Sequence, residues 1–363
     1  MGKQEINFEK VAAIAARIKK QGKEPSLINI CEEMGLLSIL SEVASLLEQW
    51  YDKSELKQGH DESLSERLSI NSLFPVNTPE LEHSLLLLCT FFESTVNSIE
   101  TNRCTTNQMQ IEHALKHALQ NSEFYLVYQP LIDIKKHCLI GFEALLRWDN
   151  PVLGNISPLN FIPVAEKNGL IIDIGEWVLE EACMQIMHWH KQGFTDLTVA
   201  VNISGRQLHQ PSFPQLIDHM LQKTGLSPKY LELELTESLF IKNIAQAVKV
   251  MHQFKEIGLK LAIDDFGTGY SSLAYLKQFP LDKLKIDKSF IHDLASDVHD
   301  AAIVKAVINL GHKLNLQVLA EGVENERQKS FIIKHGCDFA QGFYFKSPTR
   351  PEALNDYLNN SNV

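Results

Sequence analysis

From about residue 120 onward the chain repeats one pattern, a short β-rich run followed by a helix-length amphipathic stretch. The runs are Tyr125–Ile132, Cys138–Trp148, Leu197–Ile203, Tyr230–Leu235, Lys260–Ile263, Lys283–Ile286, Gln317–Ala320 and a short one near Asp338–Ala340. Between most of them lie Gly175–Lys191, Phe213–Thr224, Asn243–Ile257, His299–Leu314 and Asn325–His335, each with apolar residues three and four apart. That spacing puts the apolar side chains on one helix face. Regular strand–helix alternation of this length predicts an α/β fold, a (β/α)₈ TIM-like barrel. A doubly wound sheet alternates too, and strand count does not separate the two.

Upstream the pattern is helical. Phe8–Lys20 places Val11, Ile14, Ala15 and Ile18 on one face; Pro25-Ser26 starts a second helix, which Gly35 closes, and Leu37–Tyr51 forms a third. Asp52–Asn77 is polar and Ser-rich, as a linker is. Glu80–Asn121 reads as one or two long helices. The expected organisation is a small all-α, helix-turn-helix-like module at 1–52, a linker with connecting helices at 53–121, and the barrel at 122–363.

Composition narrows the function. A net charge of −11 argues against a surface built for sequence-independent nucleic-acid binding. The six cysteines form no C-x-x-C pair, which removes zinc-knuckle and thioredoxin-like readings and fits a reducing, cytoplasmic setting. The longest apolar run, Leu85 to Phe92, is far short of the roughly 20 residues that span a bilayer, so no membrane association is expected.

Acidic and amide residues recur at the C-terminal ends of the expected strands: Glu143, Asn202, Glu234, Glu237, Asp264, Asp265 and Glu321, with Lys285 among them. In an α/β barrel these ends surround one mouth. A single carboxylate there is ordinarily a helix cap or a solvated loop residue. Asp264 and Asp265 are sharper, because adjacent carboxylates repel unless a cation lies between them. Hard oxygen donors, with no histidine among these strand-end residues and no paired cysteines, favour Mg²⁺ or Mn²⁺ over zinc. Two such ions sharing a carboxylate form a clamp suited to phosphodiester hydrolysis, and a strand-end lysine such as Lys285 can orient water or stabilise developing charge. The alternative for Lys285 is a structural pair with Asp282 or Asp287.

These residues also resemble a known family. GFEALLRW carries Glu143-Ala144-Leu145, the tripeptide that names the EAL domain, the bacterial cyclic di-GMP phosphodiesterase. YQPLID, FIPVAEKNGLI, VNIS, ELTES, DDFGTGYSSL, LKIDKSF, AEGVE and QGFYF follow in the family's order between about Phe124 and Leu358. The resemblance implies one metal ion on Glu143, Asn202, Glu234 and Asp264, and a second on Asp264, Asp265 and Glu321. It implies that Lys285 contacts the nucleophilic water and that Gln341 lies beside that water. By the same carry-over Glu237 anchors the loop Asp265–Ser272, Arg147 grips a substrate phosphate, and Gln129 and Leu145 line the nucleotide groove. The implied product is linear pGpG, and the family favours a homodimer.

Phe8–Tyr51 is similar to the N-terminal helical module of KfrA-type plasmid DNA-binding proteins, through Lys23–Ser26, ICEEMG and a third helix ending in Trp50. Leu36–Tyr51 has no basic residue and carries Glu42 and Glu48, which argues against DNA reading. The expected activity is therefore hydrolysis of cyclic di-GMP under control of an N-terminal module. The alternatives are a cyclic di-GMP receptor, or a transcriptional regulator with the barrel as sensor.

Overall fold

The alternation closes into a barrel. The structure is a computed structural model that describes residues 108–236, 244–267, 276–294 and 298–359. The expectations for the helical module at 1–52, for its linker as far as residue 107 and for the DNA question lie outside these residues.

Nine strands are described: β1 (Phe124–Asp133), β2 (Cys138–Asn150), β3 (Gly154–Ile156), β4 (Thr198–Ile203), β5 (Leu231–Thr236), β6 (Lys260–Phe266), β7 (Lys283–Ile286), β8 (Gln317–Ala320) and β9 (Phe339–Ala340). Their order is β1-β9-β8-β7-β6-β5-β4-β2-β3, and β1 also pairs with β2. That last pairing joins the two ends, so eight strands form a ring and β3 hangs on β2. Closure excludes the doubly wound sheet, which keeps two open edges.

β1 runs antiparallel to both of its neighbours, β2 and β9. Only residues 134–137 separate it from β2, far fewer than the dozen or so that a parallel crossover needs. His137 takes the left-handed conformation at the end of this turn, with φ 54°.

Strand alternation sorts the side chains into two layers. On β5, Leu231, Leu233 and Leu235 join the main hydrophobic core, while Glu232 and Glu234 take the other face. β4, β6, β7 and β8 do likewise, sending Val199, Val201, Leu261, Ile263, Leu284, Ile286, Val318 and Ala320 into that core. A small inner cluster of Leu131, Ala200, Leu319 and Phe339 fills the barrel itself.

The helices cover the outside. Phe213–Thr224 buries Phe213, Ile217, Met220 and Leu221, the spacing of one helix face, and ends on Gly225 in the left-handed conformation. Ile171–Lys191 begins ahead of the expected Gly175. Gly175 is an interior residue of that helix, where a Cβ would stand 2.0 Å from Gln207 Nε2, so its small size serves packing rather than a helix end. Pro158–Asn168 is a helix the sequence reading omitted; Pro158 sits in its first turn, where a missing N–H costs nothing. Residues 108–118 are also helical and place Leu115 and Ala118 in the main core. Among the described residues no helix is long and apolar enough to cross a membrane.

The end of the barrel away from the strand C-termini is tied by Asp338. Its carboxylate accepts hydrogen bonds from the Val318 amide at 2.9 Å, from Lys135 Nζ in the β1–β2 turn, and from His312 Nε2 at 3.0 Å. Burial opposes its charge, yet these donors hold the carboxyl below the usual aspartate range. A depressed folded-state pKa gives stability that is present above the unfolded value of ~3.9 and lost as pH falls through the folded one. Asp338→Ala should therefore lower unfolding stability at neutral pH by about 1–3 kcal/mol. In urea titrations at pH 7 and pH 3, the variant should also lose less stability on acidification than the parent protein does.

Candidate active site

One layer of inward-facing side chains forms the mouth. Glu143 (β2), Asn202 (β4), Glu234 (β5), Asp264 (β6), Lys285 (β7), Glu321 after β8 and Gln341 after β9 each stand two residues beyond an inward residue of the same strand. The strand period thus lifts every one of them to the same rim. β4 to β9 contribute at or beside their C-terminal ends, as the barrel rule predicts, whereas Glu143, expected at a strand end, lies midway along β2, which continues to Asn150.

Lys285 occupies the centre and is fully buried. Its Nζ donates to Glu234 Oε2 at 2.7 Å and lies 2.6 Å from Glu321 Oε1, 3.1 Å from Asp264 Oδ1 and 3.6 Å from Glu143 Oε2. The structural alternative for this lysine does not hold: Asp282 is taken by Lys255 at 2.6 Å, and Asp287 accepts from the Ser289 amide at 3.0 Å. Burial alone would strip Lys285 of its proton, but Asp264, Glu143, Glu234 and Glu321 together hold its ammonium well above the ordinary lysine range. Burial and the neighbouring Glu143 push Glu234 far above the carboxylate range. Glu321 is raised as well, by burial against the pull of Lys285.

Glu143 is oriented by amides. Asn202 Nδ2 donates to its Oε1 at 2.8 Å and Gln341 Nε2 to its Oε2 at 2.7 Å. The Gln341 backbone is held by hydrogen bonds to Ala320 O at 2.9 Å and from Val323 N at 3.0 Å, and at its neighbour Gly342 (φ 153°) a Cβ would meet Val323 O at 2.1 Å. The sequence reading did not single out this glycine, although a Gly directly after a strand-end residue signals close backbone approach.

Asp264 and Asp265 face one another's site against the period of the strand. Neighbouring residues of a strand point to opposite sides. Here β6 is bulged: Ile263 pairs with Leu284 and Phe266 with Ile286, so β6 spends one residue more than β7. The extra residue is Asp265, turned back by a left-handed φ of 54°. Asp264, Asp265 and Glu321 thereby bring ligand atoms within 4.8 Å of one another, a grouping able to hold a metal ion. Burial, then Asp264 and Asp287, raise the Asp265 carboxyl to about 6. Asp287, weighed from the sequence only as a partner for Lys285, is a helix N-cap that instead bonds Asp265.

The donor set suits divalent cations. Five carboxylates (Glu143, Glu234, Asp264, Asp265, Glu321) face one ammonium, a formal excess of four negative charges. Two buried oxygens, Glu234 Oε1 and Gln341 Oε1, have no hydrogen-bond partner among the described residues. Unpartnered buried oxygens are costly unless a cation or water meets them.

Arg147, Leu145 and Gln129 stand on the same side. β2 carries Glu143, Leu145 and Arg147 at alternate positions, with Gln129 opposite Glu143, Val127 opposite Leu145 and Tyr125 opposite Arg147. Arg147 is half-buried and donates to Leu146 O at 2.8 Å; Gln129 donates to Lys346 O at 3.3 Å. Glu237 and the loop that follows Gly267 lie outside the described residues, as does the anchoring expected of them.

The left-handed Asp265 sets up a stability test. Because its folded pKa is raised, the stability it contributes is complete below ~3.9 and is lost as pH rises through about 6. Asn tolerates the left-handed conformation and carries no charge. Asp265→Asn should hold or raise the metal-free melting temperature at pH 7 and flatten its dependence between pH 4 and 7, as followed by differential scanning fluorimetry with chelator.

Comparison with known proteins bears on the family and the fold. The family model described as EAL domain matches residues 112–348. The signaling protein YkoW of Bacillus subtilis is 46% identical over 253 residues, 70% of this chain and 32% of that protein. The bifunctional diguanylate cyclase/cyclic di-GMP phosphodiesterase MucR of Pseudomonas aeruginosa is 44% identical over 264 residues, 73% of this chain and 38% of MucR. This chain thus spans about a third of the length of these curated relatives. Among solved structures, the PaMucR phosphodiesterase in complex with c-di-GMP is 44% identical, with a TM-score of 0.66, over 68% of this chain and 99% of that one. An EAL domain protein from Listeria monocytogenes EGD-e is 30% identical, with a TM-score of 0.61, over 68% and 97%.

Proposed function

We propose, since this chain belongs to the EAL domain family, that its barrel hydrolyses cyclic di-GMP to linear pGpG. The observation that carries the reading is the single rim on which Glu143, Asn202, Glu234, Asp264, Asp265 and Glu321 surround Lys285. The phosphodiesterase name borne by MucR and the nucleotide in the PaMucR complex supply the substrate class.

In this reading Glu143, Asn202, Glu234 and Asp264 hold one Mg²⁺ or Mn²⁺, and Asp264, Asp265 and Glu321 the other. When bound, such ions make water more acidic and neutralise charge on the phosphoryl oxygens. The remaining steps belong to side chains. Arg147 grips a phosphate with its planar fork, and Gln129 and Leu145 line the groove for the nucleotide. Asn202 and Gln341 keep Glu143 turned to the rim through their amide hydrogen bonds. Water adds to one phosphorus and the P–O3′ bond breaks. The 3′-oxygen leaves with a proton, so one water is consumed and the ring opens to a 5′-phosphorylated dinucleotide. Lys285, held charged by its neighbours, orients the attacking water and steadies the negative charge that grows on the phosphoryl group.

Control of turnover by residues ahead of the barrel, pairing of two copies and a cytoplasmic setting belong to the same reading. The free thiols Cys138, Cys183 and Cys337 support the last of these.

The test is product formation. Purified full-length protein with Mg²⁺ or Mn²⁺ should convert cyclic di-GMP to pGpG, resolved by anion-exchange chromatography. Glu143→Ala should reduce turnover by at least about a hundredfold, the usual scale for removing a preorganised charge-stabilising group. Tight nucleotide binding with no pGpG at any enzyme concentration would instead make the barrel a receptor.

A further inference from the structure

Directly beneath the rim the barrel contains a second ion pair. Lys283 Nζ donates to Glu232 Oε1 at 2.6 Å and Oε2 at 2.8 Å, and both side chains are almost wholly buried. Lys283 also lies over the Phe339 ring, 5.3 Å from its centroid. Glu232 and Lys283 precede Glu234 and Lys285 by two residues on β5 and β7. They therefore repeat, one layer lower, the Lys285–Glu234 contact above them. β6 runs between these strands and offers Ala262 there, paired with both Glu234 and Lys283, whose small side chain leaves the interior open for the long ones to meet.

The two layers differ in charge. The rim has five carboxylates against one ammonium, whereas the layer beneath has one of each and sums to zero. Two residues along a strand span about 7 Å. Across that distance, at an effective dielectric near ~20, an uncancelled unit charge acts on a divalent cation strongly enough to change its affinity about tenfold or more.

We propose that Glu232 and Lys283 are a positioning pair for the metal site, acting through their cancelled charge: Glu232 neutralises a lysine that would otherwise repel the cations held on the rim. The inference rests on the reading of the rim as a metal-dependent phosphodiesterase site, and it assigns a role to two residues that touch neither metal nor substrate. It requires effects of opposite sign from the two partners. Glu232→Gln leaves a cation below the rim, and Lys283→Met leaves an anion there. Removing both charges with Glu232→Gln/Lys283→Met leaves none. Replacing both members of a buried pair by neutral groups of similar size is commonly tolerated by the fold.

The experiment measures Mn²⁺ binding to the full chain by electron paramagnetic resonance, with pGpG formation followed in parallel. Glu232→Gln should bind Mn²⁺ about tenfold or more weakly than the parent, Lys283→Met no more weakly, and the double variant within about threefold of the parent. Equal weakening by both single variants, or a Glu232→Gln that binds as the parent does, would overturn the inference. So would a folded double variant that loses tenfold in Mn²⁺ affinity, a result that decides the matter even where a single variant does not fold. A parent protein that binds Mn²⁺ yet forms no pGpG would defeat the phosphodiesterase reading instead, and leave the binding comparison intact.

Discussion

The buried ammonium of Lys285 is the interaction on which the mouth of the barrel depends. Four carboxylates from four different strands or strand ends converge within 3.6 Å of it. Without a cation at that point their mutual repulsion, in a place water scarcely reaches, would cost several kcal/mol. One lysine does not balance them. Burial first, and neighbouring carboxylates after it, raise the carboxyls of Glu234, Asp265 and Glu321, and the buried oxygens Glu234 Oε1 and Gln341 Oε1 find no donor. Such a group of hard oxygen donors suits a divalent cation, and Asp264, Asp265 and Glu321 lie close enough together to hold one.

The barrel makes that convergence possible because its strands obey a strict period of two. On β5 the leucines build the outer core and the glutamates face inward, so a single stretch, LELELT, serves packing and chemistry at once. This division made the eight barrel strands legible in the sequence, with most ends close to those observed. The helix Phe213–Thr224 was legible to the residue, because its apolar spacing and its closing glycine agree. Pro158–Asn168 carries two prolines, one in its first turn and one inside the helix, which weaken its local helical signal. Gly175, the expected first residue of its segment, lies inside the helix Ile171–Lys191. What it answers to is the approach of Gln207, a contact between segments that no local pattern announces.

The candidate site was legible where it followed the barrel rule and obscure where it broke the strand period. Asn202, Glu234, Asp264, Lys285 and Glu321 lie at or beside the C-terminal ends of parallel strands, whereas Glu143 lies midway along the longer β2, near the end of its parallel pairing with β4. Asp265 is different. A regular strand would aim it away from Asp264, and only the bulge against β7 and a left-handed backbone return it to the rim. The chain holds a non-glycine residue in a sparsely populated conformation and beside a like charge. Strain of that kind persists where the surrounding structure over-determines it, and it concentrates where ligands are held. The adjacency of the two aspartates, noticed in the sequence as an electrostatic oddity, is thus also a geometric one.

The antiparallel strand β1 carries the same lesson in reverse. Because it runs against its neighbours, its mouth-side residues lie from Gln129 towards its N-terminus, and Gln129 rather than a residue near Asp133 stands opposite Glu143. A search confined to the C-terminal ends of strands passes over Gln129 entirely, and family likeness was needed to single it out. Yet the cause is already written in the chain: residues 134–137 are too few to carry a helix back across the sheet, so β1 and β2 must form a hairpin. Once the hairpin is granted, the direction of β1 follows. The position of Gln129 follows from that direction, and so does closure of the ring through β1 and β9. The shortest connection in the barrel therefore fixes both its topology and one wall of its mouth.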